Sequence, residues 1–147
     1  MLSFKKNIIM PEGKKIDFDK YALFVDGVTS DPSKDYQCFI KSISSLDGKG
    51  ANIHRLLTAA VGISAEGGEF MEIVKKMVFQ GKPWNDDNRE HLIIELGDVM
   101  WYVMQACAAL DVSLEDVVAG NVEKLKKRYP GGEFNVYESE NRAADDR

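Results

Sequence analysis

The chain has 147 residues, of which 44% are apolar, 29% charged and 10% aromatic, a composition that supports a folded core and excludes a wholly disordered chain. Its formal charge of −5 excludes a general binder of nucleic-acid backbone, which needs a clustered positive surface, so no nucleic-acid polymer is expected as partner. The longest apolar run, 99–110, is interrupted by Gln105 and falls short of the ~20 residues that cross a bilayer; no membrane association is expected. Cys38 and Cys107 belong to no C-x-x-C pattern, and no apolar stretch follows Lys5 and Lys6, which together predict reduced thiols in a cytoplasmic chain.

Residues 1–34 carry Pro11, Gly13, Gly27 and Pro32. The stretch 16–28 between them is rich in aromatic and β-branched residues and predicts an irregular or short β-hairpin N-terminal arm. Helical signals dominate from residue 35 to 132. Asp35 is a candidate N-cap for a first helix over 36–46, which Asp47-Gly48-Lys49-Gly50 breaks. A second helix follows over 51–80, with Ile53, Leu56, Ala60, Ile63, Phe70, Ile73, Val74 and Met77 at helical spacing, Gly81 as its cap and Pro83 beyond. Asp87-Asn88-Arg89-Glu90 reads as a capping box opening a third helix over about 88–110. Asp111 and Val112 turn the chain, Ser113-Leu114-Glu115-Asp116 opens a fourth helix, and Tyr129-Pro130-Gly131-Gly132 closes it. Four helices on short connections predict an all-α, antiparallel four-helix bundle over 35–132, followed by a flexible C-terminal tail over 133–147.

Two acidic pairs at i, i+3 stand out: Glu66 and Glu69 on the second helix, Glu95 and Asp98 on the third. At ~100° per residue, Ala59, Phe70, Ile73 and Met77 lie within ~40° of Glu66, and Val99, Tyr102 and Ala106 lie within ~40° of Glu95. Glu66 and Glu95 therefore project with the apolar stripes, and Glu69 and Asp98 lie at their edges. Burying carboxylates together is costly unless each is paired, and an oxygen-only donor set suits a hard divalent cation, Mg²⁺ with Mn²⁺ as substitute. A di-iron bundle would need Glu-x-x-His, but Ala51 and Asn88 stand three residues before His54 and His91; nor is there a Cys/His cluster for zinc. Gly67, Gly68 and Gly97 lie within the acidic motifs, where they suit close approach of two helix backbones.

On the fourth helix Asn121, Lys124 and Arg128 share one side beside the apolar face, an amide and two cations fit to hold phosphate. Trp84, in the loop before the third helix, and His54, near the start of the second, are candidates for contact with a base. The third helix carries a second apolar stripe opposite Glu95, made of Ile94, Trp101, Met104 and Ala108 with Gly97 among them. The stripe predicts a homo-oligomer, a homodimer or homotetramer, unless the first helix or the N-terminal arm covers it within one subunit.

Glu66-x-x-Glu69 and Glu95-x-x-Asp98, set in "EGGEFMEIVKK" and "IIELGDVMWYV" and followed by "NVEKLKKRYPGGEF", resemble the MazG-like, all-α nucleoside triphosphate pyrophosphohydrolases over about 36–134. Ala65 stands where the longer form of the pattern, E-E-x-x-E, has its first acid. The resemblance implies a hydrolase that uses Mg²⁺ to cleave a (d)NTP between the α- and β-phosphates, giving (d)NMP and pyrophosphate, with deoxynucleotides favoured. It implies Glu66, Glu69, Glu95 and Asp98 as metal and catalytic residues, and Asn121, Lys124 and Arg128 as phosphate contacts. Two other readings stay open: a hydrolase of guanosine polyphosphate alarmones, and a non-enzymatic helical binding module that the cation merely stabilises.

Overall fold

A computed structural model describes residues 16–141, and every described element is helical. The chain divides into two units, residues 1–44 and residues 45–147.

The first unit holds α1 (Phe18–Val28), α2 (Asp31–Lys34) and most of α3 (Tyr36–Asp47). The expected hairpin over 16–28 is α1 instead. Asp17 caps it, its carboxylate accepting from the Lys20 N–H at 3.1 Å. Phe18, Tyr21, Ala22, Val25 and Val28 recur at helical spacing, and with the cap this outweighs the strand preference of the individual aromatic side chains. Thr29 ends α1 in extended backbone, its hydroxyl donating to the Val25 carbonyl at 2.6 Å. Asp35 caps α3 as expected, accepting from the Cys38 N–H at 2.8 Å. Residues 1–15, the remainder of the expected arm, lie outside the described residues.

The second unit is built on a long helical hairpin, α4 (Ile53–Gln80) and α5 (Asp86–Leu110). At 1.5 Å per residue the 28 residues of α4 run ~42 Å. Gly81, with φ 73°, ends α4 in the left-handed conformation that the sequence pattern anticipates. A connection this short forces α5 back antiparallel along α4. The cap of α5 is Asn85 and not the Asp87 box: the Asn85 side chain accepts from the Asn88 N–H at 2.9 Å, which leaves Asp86 and Asp87 in the first turn beside the positive end of the helix dipole. Asn88 is buried and donates through Nδ2 to the Pro83 carbonyl at 2.7 Å, tying the loop to the helix start.

Asp111, with φ 54°, turns the chain after α5. Ser113 and Asp116 then form a reciprocal capping box that opens α6 (Leu114–Arg128), as the sequence predicts. The last described element, α7 (Val136–Glu140), is a short helix capped by Asn135 within the segment expected to be a flexible tail.

The expected intrachain four-helix bundle is not what the second unit shows. Its packing is dominated by α4 on α5, and α6 meets α5 over a short stretch. Ala59, Ile73 and Cys107 are the buried apolar residues among those described. The outer side of α5 leaves Ile93, Ile94, Leu96, Trp101 and Met104 at least half exposed. By length and composition α5 is also apolar enough to cross a bilayer, yet it carries Glu95 and Asp98 at its middle.

Candidate metal and phosphate site

Glu66 and Glu69 sit near the middle of α4, and Glu95 and Asp98 near the middle of α5. The antiparallel pairing brings the two motifs side by side. One carboxylate oxygen from each of Glu66, Glu69 and Glu95 lies within 4.8 Å of the other two. Glu95 is 5% exposed, Glu66 half-buried, and Glu69 and Asp98 exposed. The two inward positions and the two edge positions thus fall where the helical periodicity puts them.

Glu66 lies among like charges. Loss of solvent, then the charges of Glu69, Asp98 and Glu95, hold its carboxyl above the ordinary carboxylate range. Asp98 therefore belongs to the electrostatic field of the cluster although its oxygens are not part of the tight trio. The donor set is all oxygen and anionic. Oxygens bound to one Mg²⁺ at ~2.1 Å stand at most ~4.2 Å apart, so the trio lies within small side-chain rotations of a common ion. A hard divalent cation fits.

Glu95 has a further neighbour: His91 Nε2 stands 2.9 Å from its Oε1, one helical turn earlier on α5. The sequence reading weighed His91 only as an iron ligand and missed this contact. The i, i+4 spacing to an inward-facing acid was the available signal.

Asn121 and Lys124 are exposed on α6, with no hydrogen bond or ion pair to the cluster among the described residues; Arg128 is half-buried. Trp84 is exposed in the loop between α4 and α5, and His54 is exposed in the first turn of α4. His54 and Gln80 are separated by ~39 Å of helix, with Trp84 beyond Gln80, so one chain cannot present both to one base. Nor do Gly67, Gly68 and Gly97 serve close approach among the described residues, since a Cβ on any of them would meet none of these within 4 Å. The glycine that does is Gly62, where a Cβ would run into the ring of Tyr102.

The family model of the MazG nucleotide pyrophosphohydrolase domain matches residues 55–132, more than half of the chain, and spans α4, α5 and α6. The Gene 37 protein of Mycobacterium phage L5 is 40% identical over 83 residues, which cover 55% of this chain and 72% of that protein. No solved structure matches. With both acidic motifs inside the matched region, the chain belongs to the MazG nucleotide pyrophosphohydrolase family.

Proposed function

We propose that the protein is a nucleoside triphosphate pyrophosphohydrolase, converting a (d)NTP and water to (d)NMP and pyrophosphate, with deoxynucleotides favoured. The observation that carries this reading is the convergence of Glu66, Glu69 and Glu95 from two antiparallel helices, one of them almost fully buried, within the family's matched region. A buried carboxylate facing two other acids is a costly arrangement that a metal-dependent hydrolase needs.

Glu66, Glu69, Glu95 and Asp98 would hold Mg²⁺, or Mn²⁺ in its place, which supplies charge neutralisation for the phosphates and a more acidic water. The edge position and exposure of Glu69 suit it to take the proton of the attacking water. Attack at the α-phosphorus forms one P–O bond and breaks the bond to the bridging oxygen, whose electron pair leaves with pyrophosphate. Lost solvent and the charges of Glu69, Asp98 and Glu95 disfavour the charge of Glu66, and a bound cation would offset that repulsion, which couples site assembly to metal uptake. Lys124, Arg128 and Asn121 are assigned to the leaving phosphates. They stand on the one family-matched helix that carries a basic last turn.

We further propose a homo-oligomer in which the exposed face of α5 packs on another copy. That assembly lets α6 of one chain serve the acid cluster of its own or a neighbouring chain. The test is incubation with each of the eight common (d)NTPs and Mg²⁺, with products resolved by chromatography. Monophosphate plus pyrophosphate is expected; orthophosphate with a diphosphate product, or no turnover, refutes the assignment. Competition by an alarmone at equal concentration separates the guanosine polyphosphate reading.

A further inference from the structure

We infer that the site is completed in trans: α6 of a second copy lies antiparallel along the Asp98 edge of α5 and brings its Asn121 and Lys124 to the acid cluster. The proposal rests on the hydrolase reading above and deepens it, because it names the chain that supplies the phosphate contacts. Within one chain, three residues, 111–113, connect α5 to α6, so a helix folded back along α5 would meet it throughout. Instead α6 meets α5 over only a short stretch and does not pack along α4. Asn121 and Lys124 are left exposed, with no hydrogen bond or ion pair to Glu66, Glu69, Glu95 or Asp98 among the described residues.

The open faces of the two helices match in spacing. Val118 and Leu125 stand ~10.5 Å apart along α6, and Ile94 and Trp101 stand ~10.5 Å apart along α5. All four are at least 40% exposed. At ~100° per residue, Asn121 lies within ~60° of Val118 and Leu125, and Asp98 within ~60° of Ile94 and Trp101. A helix that covers Ile94 and Trp101 therefore runs beside Asp98. In the antiparallel sense Val118 meets Trp101 and Leu125 meets Ile94, which sets Asn121 level with Asp98 and Lys124 level with Glu95. Charge selects that sense. α6 opens on Glu115 and Asp116 and ends on Lys126, Lys127 and Arg128. α5 opens on Asp86 and Asp87 and carries no charged residue over 99–110. Antiparallel packing puts the basic turn beside the acidic half of α5, whereas parallel packing would put Glu115 and Asp116 there and set like charges together. One chain then supplies the acids, and the other the amide and the cation for the leaving phosphates.

The test co-expresses two impaired variants, Asp98→Asn and the double substitution Asn121→Ala/Lys124→Ala, all at exposed positions. A mixed dimer then has one site with both defects and one with neither. Circular dichroism checks folding, with Glu69→Gln standing in for Asp98→Asn if that form does not fold, and native mass spectrometry counts the mixed species. With random pairing, about a quarter of parental dNTP turnover is expected from the co-expressed mixture, where each variant alone gives little. Turnover no higher than the mean of the two variants, with mixed species present, overturns the proposal, and so does a monomeric parent or parental turnover in the double variant. A second readout needs no turnover. Asp98→Cys in one copy and Asn121→Cys in another should form a disulfide between copies on mild oxidation, absent when either substitution is left out. A parent without turnover refutes the hydrolase reading and leaves the placement of α6 to this cross-link, whose absence overturns it.

Discussion

Gly62 on α4 lies against the ring of Tyr102 on α5, so closely that a single added methyl group would overlap it. Gly62 is one turn before Glu66, and Tyr102 one turn after Asp98. This contact therefore sets the spacing of the two helices beside the acid cluster. Replacing Gly62 with Ala forces the helices apart there. The expected cost is about 1–3 kcal/mol from overpacking, partly offset by better helix propensity. Divalent-metal affinity should fall as well, because the carboxylates separate. Gly67→Ala, whose Cβ meets nothing within 4 Å among the described residues, should instead gain about 0.5–1 kcal/mol. Urea unfolding of both variants checks the contrast; equal effects would remove the contact's special role.

The second prediction concerns pH. Glu66 binds its proton more tightly in the folded chain than in the unfolded one. Between its ordinary value of 4.5 and the raised folded value, the folded state holds more protons, so stability falls as pH rises through that window. Asp17, Asp35 and Asp116 shift the other way: the Lys20 N–H, the Cys38 N–H and the Ser113 hydroxyl hold them below 3.8. Their stabilisation is present above that value and is lost as pH falls through the lowered ones. In a chelating buffer the melting temperature should therefore decline as pH rises from 4.5 through the raised value of Glu66. Glu66→Gln or saturating Mg²⁺ should abolish the decline. A flat profile in chelator would argue against a crowded acid site.

Much of this arrangement is legible in the sequence, because the helical period alone puts Glu66 and Glu95 with the apolar stripes and Glu69 and Asp98 at their edges. The ends of α4 and α6 are legible too, since Gly81 and the Ser113–Asp116 box have single stereochemical roles. The start of α5 is not: Asn85, Asp86 and Asp87 are all competent caps, and the choice depends on Asn88 reaching back to the Pro83 carbonyl. Residues 16–28 mislead because aromatic and β-branched side chains favour strands only where a neighbouring strand receives them. The Gly62 contact is hidden for a related reason. A glycine's tolerance of a neighbour is a property of the facing helix, and nothing in the sequence pairs position 62 with position 102.

A third prediction separates metal ligation from phosphate contact. Asp98→Asn should abolish turnover while leaving helicity intact, because Asp98 is exposed and supports no packing. Lys124→Ala should lower kcat/KM by about 10–100-fold and leave Mn²⁺ affinity unchanged, since Lys124 is exposed and makes no hydrogen bond or ion pair to the cluster among the described residues. Steady-state kinetics beside calorimetric metal titration distinguishes the two. A Lys124→Ala variant with parental kinetics would remove α6 from the substrate site.

The last prediction concerns what covers α5. Ile94, Trp101 and Met104 are each at least half exposed, and Trp101 stands edge-on to Tyr102 with ring centroids 4.7 Å apart. Tyr102 in turn packs on Gly62, so the outer face of α5 is joined through two aromatic rings to the contact beside the acids. Burying each such side chain is worth roughly 1.5–3 kcal/mol, a large addition to a core in which Ala59, Ile73 and Cys107 are the buried apolar residues among those described. A second copy presenting the same face would satisfy this demand by two-fold symmetry, whereas crossing a bilayer would carry Glu95 and Asp98, at the middle of the helix, into hydrocarbon. Sedimentation at micromolar concentration should show a dimer or tetramer. Trp101→Glu should shift it to monomer and, through Tyr102, weaken metal binding at the acid cluster. A monomeric parent protein would refute the assembly, and a dissociated variant with undiminished metal affinity would break the link between the interface and the site.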